Sequence, residues 1–221
     1  MSSIRVILDS ADIAEIRDAV GTGLIGGIAT NPRKIAQSGK SCRQVVEEIR
    51  QVFAGPIAVQ ALGRTTDEIC ASARQLHALD PLLAVKITAN KAGLSAIGPL
   101  VREGVRTNAT LMYSPTQALL AALAGSPYIS PFVGRARMCG YDGIGAIRQM
   151  RQILDAYGLT HTTIIAASIK DVCQVVDSIL AGAHSVAVPF HVFEAMCEHP
   201  LTTRGLEGFM ADHAGIPPGT G

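Results

Sequence analysis

Tryptophan is absent from this chain, and aromatic residues make up only 4% of it. So little ring surface supplies no platform on which nucleic-acid bases could stack. An excess of one charge is missing too: 19 Lys and Arg stand against 18 Asp and Glu, for a formal net charge of +1. That balance excludes nucleic acid and an anionic membrane as expected partners. No apolar run approaches the roughly 20 residues of a membrane span. The opening Met1-Ser2-Ser3-Ile4-Arg5 carries no apolar export segment. The five cysteines, Cys42, Cys70, Cys139, Cys173 and Cys197, are odd in number and lack CxxC spacing. They read as reduced thiols of a cytoplasmic protein. No HxxxH or HxH pair occurs among the six histidines, so neither a metal site nor a metal cofactor is expected.

What is present is an apolar chain, 48% hydrophobic, punctuated at short intervals. Eight short apolar runs read as strands: residues 5–8, 24–28, 56–61, 82–88, 105–111, 127–133, 162–167 and 185–188. Helical periods separate them. Ile13, Ile16, Ala19 and Val20 share one face, and Val45, Val46, Ile49, Val52 and Phe53 share another. Pro32 opens a helix after the second strand, Thr65-Thr66-Asp67-Glu68 looks like a capped start, and Gly104, Gly158 and Gly182 read as stops. Ser10 and Ser168 are placed to cap the helices that follow them. Further helices are expected over 92–103, 115–124, 143–157, from about 171 to 180, and over 192–198 and 202–212. With no shift in composition and no linker, 221 residues make one domain of the α/β class, a (β/α)8 TIM barrel with an extra C-terminal helix. An open doubly wound sheet is the structural alternative, but no glycine-rich phosphate loop follows an early strand. The tail over 214–221 is expected to be flexible.

The chemistry of such a barrel lies at the C-terminal ends of its strands. Those ends are polar here: Asp9, Asn31, Gln60, Lys86, Asn108, Thr110, Arg135, Ser168 and Lys170 fall there in turn. Lys86, within Leu82-Leu83-Ala84-Val85-Lys86-Ile87-Thr88, is embedded in apolar sequence. Burial favours the neutral amine, and a neutral amine is a nucleophile toward a carbonyl. Asp9 suits the proton transfers of carbinolamine formation and loss. Thr110 and Gln60 suit a held water. Asn31 and Asn108 can donate to substrate hydroxyls, and Arg135 with Ser168 can grip a phosphate. The residues together predict a Schiff-base lyase or transferase acting on a small phosphorylated sugar.

Seven short words then occur in order: Leu8-Asp9-Ser10-Ala11-Asp12, Ala29-Thr30-Asn31-Pro32, Val85-Lys86-Ile87-Thr88, Thr107-Asn108-Ala109-Thr110-Leu111, Ser130-Pro131-Phe132-Val133-Gly134-Arg135, Ala166-Ala167-Ser168-Ile169-Lys170 and His199-Pro200-Leu201-Thr202. Through them the chain resembles the short bacterial transaldolases, a family that includes fructose-6-phosphate aldolase, from Val6 to about Asp212. The resemblance implies a cytoplasmic, metal-free and cofactor-free class I enzyme of the pentose phosphate pathway. Lys86 would bind the ketone of a donor such as fructose 6-phosphate. Cleavage would leave a dihydroxyacetone enamine, passed to an aldehyde by a transaldolase or hydrolysed by an aldolase. It further implies a homo-oligomer, pentamer or decamer, in which residues 201–212 pack on a neighbour and the barrel mouth stays free.

Three positions depart from the pattern. Typical transaldolases carry Glu where this chain has Gln60. The aldolase branch carries Gln there but Tyr at the position of Phe132, and a small hydroxyl residue is usual at the position of Arg33. Phe132 points to a transferase and Gln60 to an aldolase. The combination also leaves open a different phosphorylated or sulfonated ketose, or a barrel that binds sugar phosphates without chemistry.

Overall fold

The computed structural model describes residues 5–216. Most of the expected tail, 217–221, therefore lies outside the described residues, as do residues 1–4; residues 214–216 form a turn and bend. The order is β1 (Arg5–Asp9), α1 (Ile13–Gly21), β2 (Ile25–Ala29), α2 (Pro32–Gln37), α3 (Cys42–Val52), β3 (Ile57–Gln60), α4 (Thr66–Leu79), β4 (Ala84–Thr88), α5 (Lys91–Arg102), β5 (Arg106–Met112) and α6 (Pro115–Leu123). It continues with β6 (Tyr128–Pro131), α7 (Val133–Met138), α8 (Gly143–Ala156), β7 (Thr163–Ala166), α9 (Val172–Leu180), β8 (Ser185–Val188), α10 (Phe190–Cys197) and α11 (Pro200–His213). Every neighbouring pair of strands is parallel, and β8 closes on β1. This is the (β/α)8 barrel with one helix beyond the eighth unit.

Alternation along each strand sorts the chain into two layers. Leu8, Ile28, Ile57, Val59, Val85, Ile87, Ala109 and Ile129 are buried on the outer face against helix residues such as Ile16, Ile49, Ile97, Leu100, Ile147 and Leu154. Each such Val, Leu, Ile or Met side chain contributes about 1.5–3 kcal/mol by leaving water, so this interlayer core holds the barrel together. The inward positions are different. Gly27, Ala58, Ala84 and Ala187 are too small to fill the lumen, which therefore stays open as part of one cavity of about 870 Å³.

Several local expectations are corrected. The sixth strand stops at Pro131, and residues 133–138, read as strand end and loop, form α7. Gly134 explains that helix. A Cβ there would lie 2.1 Å from the Ser168 carbonyl oxygen, so glycine lets α7 press against the loop after β7. Ser168 caps nothing: it sits at φ 60°, and Asp171 caps α9 by accepting from the Gln174 amide. Ser10 is likewise not the cap of α1. Asp12 is, accepting from the amides of Ala14 and Glu15, while Ser10 is buried and donates to the Glu15 carboxylate. The fifth strand is not regular to its end, because its register to β6 shifts between Ala109 and Met112, where Leu111 adopts φ 53°. Gly21-Thr22-Gly23-Leu24-Ile25-Gly26 does have GxGxxG spacing. It leads from a helix into a strand, the reverse of the order a phosphate loop requires.

Candidate active site

Strand register builds the centre of the site. Gln60, Lys86 and Asn108 are partners on β3, β4 and β5, so they form one row across three adjacent strands. Thr88 and Thr110 pair one layer nearer the mouth. Asp9 ends β1 on the opposite side of the lumen and pairs with Ala29.

Lys86 is buried, and its Nζ donates to the Thr30 carbonyl at 2.9 Å. Burial pushes its amine below the ordinary lysine range; the Asp9 carboxylate opposes that shift, and the nearby Lys34 ammonium adds to it. Lys34 donates to the Asp9 backbone carbonyl at 2.5 Å, which holds its charge beside the β1 end. Asn31 is divided between two tasks. Its Oδ1 accepts from the Lys34 amide and caps α2, while its Nδ2 faces Asp9 Oδ1 at 3.3 Å.

Gln60 Nε2 donates to two backbone carbonyls, those of Ala61 at 3.1 Å and Lys86 at 3.0 Å. Its Oε1 is left as an acceptor. Thr110 Oγ1 is fully buried and has no hydrogen-bond partner among the described residues. A buried hydroxyl without a partner costs stability, and sites that hold a reactive water or substrate oxygen are where such a cost is tolerated. Asn108 Oδ1 accepts from the Ser130 hydroxyl at 2.8 Å, which leaves its Nδ2 to donate.

The far wall is cationic. The Arg135 guanidinium lies over the Phe132 ring, 5.3 Å from its centroid, and Tyr113 meets that ring edge-on at 6.0 Å. Ring and cation attract, so Phe132 orients Arg135. The backbone of Lys170 is tied by its amide to Gln174 Oε1 at 3.1 Å, while the residue itself is exposed.

Lys86, Asp9, Thr110, Gln60, Asn31, Asn108, Arg135, Ser168, Phe132, Lys170 and Arg33 all line the one 870 Å³ cavity. Residues that sequence reasoning passed over share it or support it: Lys34 and Thr88 on its wall, Ser130 beneath Asn108, and Thr30 through its carbonyl. Period-two spacing from Phe132 back to Ser130 was a signal for the latter. Thr30 carried none, since its contribution is a backbone atom. Among the described residues no group of three or more His, Cys, Asp and Glu could hold a metal ion, and no helix is long and apolar enough to cross a membrane.

The profile of a family described as Transaldolase/Fructose-6-phosphate aldolase matches residues 6–215. A probable transaldolase of Caulobacter sp. (strain K31) is 43% identical over 212 residues, 96% of this chain and 97% of the relative. One from Heliobacterium modesticaldum is 44% identical over 209 residues, 95% and 97% of the two chains. Among solved structures, orotidine 5'-monophosphate decarboxylase from Metallosphaera sedula superposes with a TM-score of 0.59 at 14% identity, over 86% of this chain and 90% of that one. Thiamine phosphate pyrophosphorylase from Pyrococcus furiosus gives 0.55 at 15%, over 85% and 86%. At such identities the two structures speak for the barrel alone.

Proposed function

This chain belongs to the transaldolase/fructose-6-phosphate aldolase family, an enzyme of that class, and on that premise we propose that it transfers a dihydroxyacetone unit from a ketose phosphate to an aldehyde through a Schiff base on Lys86. The observation that carries the proposal is the Lys86 amine, buried in the lumen with its pKa lowered and Thr30 O as its one hydrogen-bond partner among the described residues.

The neutral amine attacks the C2 carbonyl carbon of the donor, and the new C–N bond converts the carbonyl oxygen to a hydroxyl. Asp9 relays the protons, so that this oxygen leaves as water and an iminium remains. A water between Thr110 Oγ1 and Gln60 Oε1 then accepts the C4 hydroxyl proton. The C3–C4 bond breaks, its electron pair flows into the iminium, and an aldehyde departs. The three-carbon enamine on Lys86 attacks an acceptor aldehyde, forming a new C–C bond, and hydrolysis of the resulting iminium frees the lysine. Asn108 Nδ2 and the Asn31 amide orient the donor hydroxyls, and Arg135, Ser168 and Lys170 bind the phosphate.

Gln60 favours a second reading of the same chemistry, in which the enamine is protonated at C3 and hydrolysed as an aldolase would do. Borohydride reduction in the presence of fructose 6-phosphate tests the shared step, with an adduct mapped to the Lys86 peptide as the expected result. An unmodified Lys86 in a folded, donor-saturated protein refutes it. Turnover that persists without acceptor aldehyde would favour the aldolase.

Assembly forms a further part of the proposal. Helix α11 has no buried residue, and its Leu201, Leu206, Phe209 and Met210 are 57–74% exposed. Such an apolar face is covered when α11 packs on a neighbouring copy, as in the pentamer or decamer expected for the family. The molar mass in solution tests this, and a monomer would refute it. The reducing cytoplasm suits the five free thiols.

A further inference from the structure

A second lysine stands beside Lys86, and the steps above give it no task. Lys34 is the third residue of α2, the short helix that follows β2. The Asn31 cap accepts from its amide at 3.1 Å, and its side chain turns back over the end of β1, where Nζ donates to the Asp9 carbonyl at 2.5 Å. Lys34 is half-buried, whereas its neighbour Arg33 is exposed. The two amines hang on adjacent strand ends: Lys86 on the Thr30 carbonyl just after β2, and Lys34 on the Asp9 carbonyl of β1, whose residue pairs with Ala29. They share one corner of the lumen.

No carboxylate neutralises Lys34. The ion pairs among the described residues engage Lys40, Arg43, Arg50, Arg74, Arg137 and Arg151 instead. Asp12 and Glu15 line a cavity of about 180 Å³ with Lys34, but Asp12 caps α1 and Glu15 accepts from Ser10. An ammonium bonded only to a backbone carbonyl keeps its whole charge, and that charge acts on the lumen.

Asp9 makes such a charge useful. A carboxylate near an amine draws a proton onto it, and a protonated lysine cannot attack a carbonyl. Burial of Lys86 opposes the pull of Asp9, and the Lys34 cation adds to that opposition. Among the other charged or titratable side chains on the cavity wall, Arg5, Arg33, Tyr128, Arg135, Lys170 and His184 have no comparable effect on Lys86.

Resting on the Schiff-base reading, we propose that Lys34 is a positioning residue of the reaction: its ammonium, fixed on the Asp9 carbonyl, offsets the pull of the Asp9 carboxylate and keeps Lys86 ready to attack at neutral pH.

The test reads Lys86 without any donor. The full-length protein is labelled with a trace of acetic anhydride from about pH 6 to about pH 11, a range that spans the ordinary lysine value. The free amine attacks the anhydride, acetate leaves, the amine's proton passes to solvent, and mass spectrometry of the Lys86 peptide gives the rate. On the rising limb of this profile Lys34→Met is expected to react at Lys86 about tenfold more slowly, the change that one nearby unit charge brings, and the two profiles should meet by about pH 10.4. Lys34→Arg keeps the cation and should keep the profile of the unmodified protein. Lys34→Gln supplies a second neutral side chain if Lys34→Met does not fold. A profile unchanged in the neutral variants, or slowed equally in Lys34→Arg, overturns the role of Lys34. Borohydride trapping with fructose 6-phosphate on the same samples separates this proposal from the reading beneath it. An adduct on Lys86 with an unshifted profile overturns Lys34 alone, and a shifted profile with no adduct removes the Schiff base and with it the purpose of Lys34.

Discussion

Replacing Lys86 by methionine separates the chemistry of the lysine from its effect on stability. The amine is buried, its Nζ has one acceptor among the described residues, Thr30 O at 2.9 Å, and burial lowers its pKa. A protonated amine there would have three donors for that single carbonyl. Methionine keeps the length, removes the desolvated amine and forfeits one hydrogen bond of about 1 kcal/mol. Relief of an active-site compromise of this kind commonly yields about 0.5–2 kcal/mol. For a chain of this size that raises Tm by about 1–8 °C at neutral pH.

The effect depends on pH with a definite sign. Between the lowered pKa of folded Lys86 and the ordinary lysine value of about 10.4, the unfolded chain binds a proton that the folded one does not. Stability of the unmodified protein therefore rises with pH across that window, and the penalty is fully present below it. Lys86→Met lacks this contribution, so its advantage is largest below the lowered pKa of folded Lys86 and closes as pH rises toward about 10.4. Thermal unfolding of both proteins at several pH values, beside the trapping assay, measures this. A variant less stable at neutral pH, or an advantage that does not shrink with rising pH, refutes the argument.

Thr110→Val should leave Tm within about 2 °C, because the hydroxyl it removes has no partner among the described residues, yet lower kcat about 100-fold if that hydroxyl holds the reactive water. A fall in Tm without loss of kcat would make Thr110 a structural residue. Gln60→Glu puts a carboxyl where the amide donates to the Ala61 and Lys86 carbonyls, so its pKa should rise above the free value of about 4.3. Transaldolase turnover is expected to increase and its pH profile to gain a limb from that group; a lower rate at every pH would mean that the lumen is matched to the amide. Gly134→Ala forces a Cβ to within 2.1 Å of Ser168 O, so α7 or the Ser168 loop must shift at a cost of about 1–3 kcal/mol. KM for phosphorylated donors should rise more than KM for unphosphorylated dihydroxyacetone, and an equal change in both would detach Gly134 from the proposed phosphate site of Arg135, Ser168 and Lys170.

The eight strands were legible because each is a brief apolar run whose alternation survives without its neighbours, as in Ile57-Ala58-Val59-Gln60. Helix α7 was not, since Val133-Gly134-Arg135-Ala136-Arg137-Met138 is too short to show a period, and its seat depends on the distant Ser168 loop. The cap of α9 at Asp171 rather than at Ser168 was hidden for a related reason: Ser168 takes a left-handed φ of 60° and its carbonyl lies close against the distant Gly134, a contact that the local sequence does not announce.

Residue identity by itself determined the barrel and the absence of a metal-ligand pattern in the sequence, and it singled out Lys86 as the candidate nucleophile. Those follow from which side chains are apolar, which are ionisable and how closely they are spaced. Only the closed sheet decided that Gln60, Lys86 and Asn108 stand in one row, that Gln60 presents its oxygen, and that Thr110 lacks a partner among the described residues. Closure also set Arg33 and Arg135 across the mouth from one another. The reason is that register, hydrogen-bond occupancy and the sharing of one cavity are relations between segments far apart in the chain. They exist only once β8 has returned to β1.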